Sequence, residues 1–592
     1  MEPRAEYRRR LADWTAAIAR GDRTHLTISN LRLVVAAVAA VSLWRAFVSA
    51  TLPAAWVLLP AAAFFTLVVY HAVLLQRLER ARRARRVYER GLDRLEGRWA
   101  GTGRDGARYL DHHPYARDLD LFGSGSLFEL LDTARTEAGE DTLADWLKGS
   151  AEPAEIRARQ QAIDELRTKL DFREDVSVLA AEADVSRTGA LAVWAAAAPA
   201  GITRAAAVVF ASLAAVTVVS IVVALARETG LAFLLVWLLA QSAVAAIWHA
   251  RVAKVLGRIE TPDRDLALLV AVLERIEREP FASARLAALE RALVTGGVPP
   301  SRRIAQLRRL VAIVDSTENQ MFMPIAALLL VKSQAAAAID RWHAAYGHAI
   351  ADWLRAVGDL EALSALATYA FEHPGDPFPE VGGEGALFEA TGLGHPLIPG
   401  ASSVPNDVRL GGDGPHVLIV SGSNMSGKST LLRAVGVNAS LAQAGAPVRA
   451  ARLAMSRLAI GATLRVEDSL QSGQSRFYAE ILRIRGIVDA TAGALPVLFL
   501  LDEILHGTNS YDRRIGAEAI VRSLVGRGAI GLVTTHDLAL TELPAALGAA
   551  AANVHFEDRL EDGAMVFDYR MRPGVVEHSN ALALMRAVGL DV

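Results

Sequence analysis

The stretch that most narrows what this chain can fold into begins at His416 and reads HVLIVSGSNMSGKST. An apolar run from Val417 to Val420 enters a glycine loop, and Leu431 and Leu432 then open a helical pattern. This is the G-x-x-x-x-G-K-[ST] spacing in strand–loop–helix context, which wraps backbone N–H groups around phosphates. Gly422 and Gly427 supply backbone freedom. Lys428 reaches the β- and γ-phosphates, and Ser429 offers a hydroxyl to Mg²⁺. The candidate ATP-binding loop is therefore Gly422, Ser423, Asn424, Met425, Ser426, Gly427, Lys428, Ser429 and Thr430.

Two further strand ends follow in the order such a site requires. LPVLFLLDEILHGTNS starts at Leu495, and its apolar run Val497 to Leu501 ends in Asp502 and Glu503. A fully apolar strand suits the buried centre of a parallel sheet. Two carboxylates at its end are costly without a cation to meet them. Asp502 is the second Mg²⁺ residue, and Glu503 is placed to orient or deprotonate an attacking water. The run Ile530 to Val533 then leads into Thr534-Thr535-His536-Asp537, with His536 expected near the γ-phosphate. These three elements predict an α/β P-loop ATPase domain at the C-terminus, with Lys428, Glu503 and His536 as the catalytic set.

The N-terminal half makes a different demand. Hydrophobic residues form 52% of the 592, and the mean hydropathy is +0.26, which directs attention to membrane segments. Apolar stretches at about 31–52 and 53–76 form one candidate hairpin, and 205–226 and 231–248 form another. Each approaches the roughly 20 residues that cross a bilayer as a helix. Arginines flank them on one side. Arg4, Arg8, Arg9 and Arg10 precede the first hairpin, and Arg77, Arg80, Arg82, Arg83, Arg85 and Arg86 follow it. Arg204 precedes the second, and Arg251, Lys254 and Arg258 follow. The positive-inside bias places both chain ends and the middle segment in the cytoplasm. The competing reading is buried core helices, favoured for the first pair by Arg45, which costs about 2.5–3.5 kcal/mol at mid-bilayer unless it snorkels. The Arg77–Arg90 cluster reads as a helix flank beside lipid headgroups or, alternatively, as a DNA-binding stripe.

These divisions give five segments. Residues 1–99 carry the first hairpin, and 100–200 are helical in pattern. Residues 201–256 hold the second hairpin, 257–380 form a helical region, and 387–592 form the ATPase domain. Within them, Ala151-Glu152-Pro153 separates two helices. Met321 to Val331 is apolar, too short to span, and expected in a core. His373 to Gly385 reads as a linker, and His112 and His113 as loop or packing residues. With no cysteine there is neither a disulfide nor a thiolate metal site. A net charge of −2 means that any basic surface is local.

The C-terminal motifs, taken together, resemble the MutS family. GSNMSGKST resembles its phosphate loop, with Asn424 and Met425 in characteristic places. Gly394-His395-Pro396-Leu397, VPNDVRL from Val404 and LAQAGAPVRA from Leu441 resemble neighbouring segments. So do EDSLQSGQSRFYAEI from Glu467, DEILHGTNSYD from Asp502 and RPGVVEHSNALALMRAVGL near the end. The resemblance covers residues 387–592 and extends weakly upstream, to 126–175 and to DLEALSALATYAF from Asp359, which look like core and lever helices. It implies a homodimer with composite sites, in which Ser472, Gly473 and Ser475 of one subunit face the nucleotide of the other. The loop Gly507 to Ser510 would touch the opposite site. Tyr569 aligns with a position that often stacks on adenine, or is an ordinary strand aromatic. Ser403 stands where the family often has an aromatic residue.

No counterpart of a mismatch-reading domain or its Phe-x-Glu wedge is recognisable. The expected protein is a membrane-anchored, MutS-like ATPase that uses ATP and Mg²⁺ and engages duplex or branched DNA. It would be a multi-pass protein of the inner membrane, in contact with its lipid, with its ATPase domain in the cytoplasm. The alternative is an ABC-type transporter half or an ATP-driven membrane protein that binds a partner. Its signature would be QSGQS, but four helices in split hairpins and few polar positions, Arg45 and Gln241, suit a substrate path poorly.

Overall fold

The computed structural model describes residues 2–576 apart from 112, 181–187, 227–230, 258–262, 295–296, 401, 424, 466–475, 506–507, 537 and 562–563. Fourteen helices precede the first strand among the described residues. They are α1 (Pro3–Phe47), α2 (Leu58–Leu95), α3 (Leu127–Leu131), α4 (Glu137–Lys148), α5 (Pro153–Thr168), α6 (Leu170–Ala180) and α7 (Thr188–Ala196). Then come α8 (Arg204–Ala226), α9 (Leu231–Leu256), α10 (Asp263–Glu277), α11 (Ala284–Leu293), α12 (Pro300–Ser316), α13 (Met323–Leu328) and α14 (Val331–Glu372). The chain divides into two compact units, one of residues 1–98, 170–279 and 298–348, the other of 99–169, 280–297 and 349–592.

The first unit is helical. Its helices α1 and α2 form an antiparallel hairpin that closes on glycines. A Cβ on Gly21 would lie 2.4 Å from Leu78, and one on Gly91 2.5 Å from the Tyr7 ring. Helix α1 begins at Pro3, far upstream of its apolar part, and stops at Phe47, before the expected turn at Pro53. Proline at its first helical position suits the start, where an N–H is unsatisfied anyway. Among the described residues four helices are long and apolar enough to cross a membrane: α1, the stretch Ala54–Leu95 that includes α2, α8 and α9. Their apolar windows are only 6%, 6%, 22% and 6% buried, so they are not core helices of the described chain. Three arginines of the cluster in the second half of α2 are paired with acids: Arg80 with Asp175 at 2.6 Å, Arg82 with Asp22 at 3.0 Å, and Arg85 with Glu89 at 3.1 Å.

Helices α8 and α9 enclose a polar knot. Thr217 donates to Gln241 Oε1 at 2.5 Å and accepts from Trp237 Nε1 at 3.0 Å, while Gln241 Nε2 donates to the Leu328 carbonyl at 2.8 Å. Both Thr217 and Gln241 are buried, so this amide is satisfied inside the unit. The expectation that Met321 to Val331 is core fails. Met321, Met323 and Ile325 are exposed, and only Ala326 and Leu330 are buried. An apolar run of this length fixes a helix but not which of its faces finds a partner.

The second unit joins helices to two sheets. Serine 126 caps α3 by accepting from the Glu129 N–H, and Thr136 caps α4 by accepting from Gly139. Above that cap sits Glu361 of α14, wholly buried, accepting from Thr136 N at 3.1 Å and Thr136 Oγ1 at 2.5 Å. Burial pushes its carboxyl up to about 7.

The strands are β1 (Glu380–Val381), β2 (Leu387–Leu393), β3 (Asn406–Gly411), β4 (Val417–Ser421), β5 (Arg452–Met455) and β6 (Ala459–Thr463), then β7 (Val497–Leu501), β8 (Ile530–Thr535), β9 (Ala551–Glu561) and β10 (Ala564–Pro573). One sheet has the order β1-β5-β2-β3, so the run read as a linker contributes a short strand, β1. The other has the order β10-β9-β4-β8-β7-β6, parallel throughout except for the β9–β10 hairpin. Strands β4, β7 and β8 are buried along their whole length, as their unbroken apolar sequences require. Helices α15 (Lys428–Ala444), α16 (Arg476–Ala490) and α17 (Ser510–Gly526) accompany the sheets, and the short α18 (Leu543–Leu547) precedes β9. Phe499, Leu501, Val521 and Leu524 lie in the core between this sheet and α17.

Candidate functional site

Strand β4 ends at Ser421 and the glycine loop turns directly into α15, which begins at Lys428. Two turns of the loop need a left-handed backbone: Gly422 has φ +147° and Gly427 φ +110°. Space is as restrictive as conformation. A Cβ on Gly422 would stand 2.9 Å from both the Phe556 carbonyl and Ser426 Oγ. Met425 shares the positive φ, at +68°, and points outward, 83% exposed. Ser426 Oγ donates to the Ser423 carbonyl at 2.8 Å and braces the turn. The Ser423 hydroxyl is buried without a hydrogen-bond partner. Ser429 is half-buried in the first turn of α15, and Thr430 is exposed. Asn424 lies outside the described residues.

Lys428 is folded back into this loop. Its Nζ donates to the carbonyls of Gly422 at 2.8 Å and Ser423 at 2.7 Å, with Glu503 Oε1 3.9 Å away. Only 4% of the side chain is exposed. Burial lowers its pKa, and the charges of Glu503 and Asp502 oppose that shift.

The neighbouring strand ends bring the acids to the same place. Because β7 and β8 are parallel and adjacent, Leu501 pairs with Val533, and the residues just beyond them meet. Thr534 Oγ1 donates to Asp502 Oδ1 at 2.5 Å and accepts from the Glu503 N–H at 2.9 Å. One hydroxyl thus ties the Asp502 carboxylate to the Glu503 backbone. Glu503 has φ +47°, a left-handed conformation that is strained for a glutamate and turns its side chain toward Lys428. His536 Nε2 contacts Glu503 Oε1, and its Nδ1 lies 3.4 Å from the Gly422 carbonyl. Beyond Glu503 the turn is held by Glu480 of α16, which accepts from the Leu505 N–H at 2.6 Å. The structure therefore assembles Lys428, Asp502, Glu503 and His536 around one loop. Thr534 and Glu480 were missed as site residues; their only sequence signals were their places in TTHD and RFYAEI.

On the other side of the loop lies Tyr569. A Cβ on Gly427 would be 3.3 Å from Tyr569 Cδ1, so the ring covers the loop just before α15. Tyr569 sits at a register shift of the β9–β10 pair with φ +54°. The Asn406 side chain pins that irregularity by donating to the Tyr569 carbonyl at 3.0 Å and accepting from the Met571 N–H at 2.7 Å. The ring is 43% exposed, which leaves a face open. Ser472, Gly473 and Ser475 lie outside the described residues, as do Gly507 and Asp537. Among the described residues no cluster of three or more His, Asp and Glu side chains could hold a metal by itself.

The MutS domain V profile matches residues 418–591, which span β4 through the end of the sheet and beyond. The C-terminal domain is a MutS-family domain. A DNA mismatch repair protein MutS from Natronomonas pharaonis is 33% identical over 264 residues, 44% of this chain and 29% of that protein. A MutS from Geobacillus thermodenitrificans is 33% identical over 245 residues, 40% of this chain and 26% of the relative. The DNA mismatch repair protein MSH3 of Phaeosphaeria nodorum is 32% identical over 252 residues, 41% and 22% of the two chains. The matched region thus spans less than a third of these relatives' length. The MutS-family domain is α/β, with the helical region before it in sequence.

Proposed function

We propose that this chain is a membrane-anchored MutS-like ATPase that converts ATP and water to ADP and phosphate and acts as a homodimer. The observation that carries the reading is the convergence of Lys428, Asp502, Glu503 and His536 on the glycine loop, a P-loop in this reading. The Lys428 ammonium now rests on two carbonyls and would exchange them for β- and γ-phosphate oxygens. Loop N–H groups and the start of α15 favour the phosphates further. Ser429 and Asp502 would hold Mg²⁺ through a hydroxyl and a carboxylate oxygen, the hard donors that suit this ion. When bound, Mg²⁺ neutralises charge developing on the phosphates. Glu503 accepts the proton of the attacking water or orients it, and His536, in contact with that carboxylate, fixes its direction. Tyr569 offers a stacking surface for adenine.

The family resemblance supplies the rest. Ser472, Gly473 and Ser475 would complete the site of a second copy, so that ATP closes the dimer. DNA, duplex or branched, is the proposed polymer held by the closed dimer. The four apolar helices, exposed along their windows and flanked by arginines, anchor it in the cytoplasmic membrane with the MutS-family domain inside the cell. A transporter half is the weaker reading, because the Gln241 amide is consumed by Thr217 and Leu328. The test is ATP hydrolysis by the detergent-purified chain with no DNA and with homoduplex, mismatched and branched DNA. Stimulation by DNA supports the proposal. Stimulation only by a small molecule or lipid rejects it in favour of the alternative.

A further inference from the structure

The run Met321 to Val331 is apolar, too short to span a bilayer, and mostly not core. Met321 is 89% exposed, and Met323 and Ile325 are exposed with it. Water is a poor partner for such a surface. The turn that presents it, residues 317–330 between α12 and α14, meets its own polar groups. The Thr317 N–H and hydroxyl donate to the Val314 carbonyl at 2.9 and 2.6 Å, and the Ser316 hydroxyl to the Ile313 carbonyl at 2.7 Å. Asn319 Oδ1 accepts from the Met321 N–H at 3.0 Å, and the Asn319 carbonyl accepts from the Phe322 and Met323 N–H groups. Leu330, with φ +50°, breaks α13 from α14. The carbonyls at that break are met in succession. Ala327 accepts from the Leu330 N–H at 3.2 Å, Leu328 from Gln241 Nε2 at 2.8 Å, Leu329 from Gln334 Nε2 at 2.8 Å and Leu330 from the Gln334 N–H at 3.0 Å.

The bond to Leu328 also fixes a height. Gln241 stands ten residues from Leu231, where α9 begins, and ten from Arg251, so about 15 Å of helix lies on either side of it. That is the middle of the apolar part of α9, and Thr217 of α8 meets Gln241 there. A second anchor agrees. Asp340 of α14 accepts from the N–H groups of Ala200 at 2.6 Å and Ile202 at 2.7 Å, just before α8 begins at Arg204. Val331, the start of α14, lies about 14 Å further along that helix. Met321, Met323 and Ile325 are thus carried to the level of the middle of α8 and α9, whose own apolar residues are exposed as well.

We propose that residues 317–330 form a re-entrant membrane element, which enters from the side of Arg204 and Arg251, returns to it, and lays Met321, Met323 and Ile325 against lipid acyl chains. The proposal rests on the membrane anchoring proposed for α8 and α9. Non-helical backbone at membrane depth survives only where protein supplies its hydrogen bonds, and Gln241 and Gln334 supply them here. Acyl chains are the occupant because the neighbouring surface, on α8 and α9, is the one that the membrane reading gives to lipid. Asp315 and Glu318 are exposed at the end of α12, and a carboxylate in hydrocarbon is costly. That side of the turn therefore faces water, and the α13 side faces lipid.

The experiment uses the full chain in vesicles of phosphatidylethanolamine and phosphatidylglycerol. With no native cysteine, one nitroxide label at a time is attached at Met321→Cys, Met323→Cys or Ile325→Cys, all at exposed positions that tolerate a label. Collision of the label with oxygen, which concentrates in hydrocarbon, is compared with collision with a water-soluble nickel complex. All three labels should meet oxygen severalfold more than nickel, and a label at Glu318→Cys should show the reverse. Gln241→Leu should raise the nickel collisions at Met323→Cys severalfold, because the Leu328 carbonyl then draws water. Val219→Cys, at an exposed position midway along α8, reports on the hairpin itself. If its label meets oxygen while those at 321, 323 and 325 meet nickel, the re-entrant element is overturned. Shielding of those three labels from both reagents overturns it as well, by placing protein where lipid is proposed. Unchanged collisions in Gln241→Leu would overturn the docking on α9 that sets the depth. A label at Val219→Cys that meets nickel would instead defeat the membrane reading beneath the proposal.

Discussion

At the scale of single residues, charge is placed where something must meet it. Lys428 is buried against two carbonyls, an arrangement that spends its charge on the loop until phosphates arrive. Lys428→Ala should therefore abolish tight binding of Mg·ATP, read with a fluorescent nucleotide, because no other loop side chain carries a positive charge. Glu503→Gln should keep binding, slow hydrolysis by orders of magnitude and accumulate the closed dimer. Normal turnover in that variant would remove Glu503 from the water-activating role. Glu361 makes a second residue-scale case. Its pKa is raised to about 7 by burial, so the folded state holds the proton more tightly than the unfolded chain. For an acid shifted upward, stability is greatest below the unfolded pKa and declines as pH rises through the interval up to about 7. The decline attributable to this group is on the order of 3 kcal/mol. Thermal unfolding between pH 5 and 8 should show that slope, and Glu361→Gln should flatten it. Equal slopes in both proteins would mean that the buried carboxyl is not what titrates. The glycine loop, Asp502, Glu503 and His536 were legible because each sits at the end of an apolar strand in a fixed order. Thr534, Glu480 and Asn406 were not, because each acts through contacts that only the fold brings near.

Among the elements, the apolar hairpins show both the reach and the limit of periodicity. Length and hydropathy located four long apolar helices, but not that α1 starts at Pro3 or ends at Phe47. Its first half is polar and is held by pairing with α2, Arg82 with Asp22 for example, which no window of one helix can reveal. The Met321 run failed for the converse reason: hydropathy counted its side chains without knowing which were covered. The hairpin reading itself is testable, since the chain has no cysteine. A cysteine at Ala54, in the turn between α1 and α2, or at Thr229, outside the described residues, should react with an impermeant reagent on intact cells. A cysteine in residues 100–200 should react only after permeabilisation. Labelling of the turns only after permeabilisation would reject a cytoplasmic ATPase domain on two outward hairpins.

For the whole molecule, the proposed dimer makes a prediction about what it holds. The relatives are mismatch repair proteins, but the matched region covers under a third of each. Recognition of a mismatch needs side chains at base edges or a wedge at a weakened step. No such reader is recognisable in this sequence, so a mismatched duplex and its matched partner should compete equally at fixed salt. A preference above about tenfold, or 1.4 kcal/mol, would mean that a reader exists. The basic group on α12 is the candidate for phosphate contact. Arg302, Arg308 and Arg309 are exposed, while Arg303 lies 4.3 Å over the Tyr346 ring. Binding through such groups should fall steeply with salt and ignore sequence. Absence of binding to any DNA at low salt would point to a protein partner at the membrane.

The strand order has a consequence for how the protein is made. Strand β4, which delivers the glycine loop, lies between β8 and β9, and both of these are translated more than a hundred residues after it. A ribosome therefore releases all four long apolar helices well before β4 can find either neighbour. In a chain emerging at about 5–20 residues per second, the glycine-loop site is among the last structures to close. On the proposed function, commitment to the bilayer would then precede competence to use ATP, and a nascent or truncated chain ending before Ile530 would have an anchor but no engine.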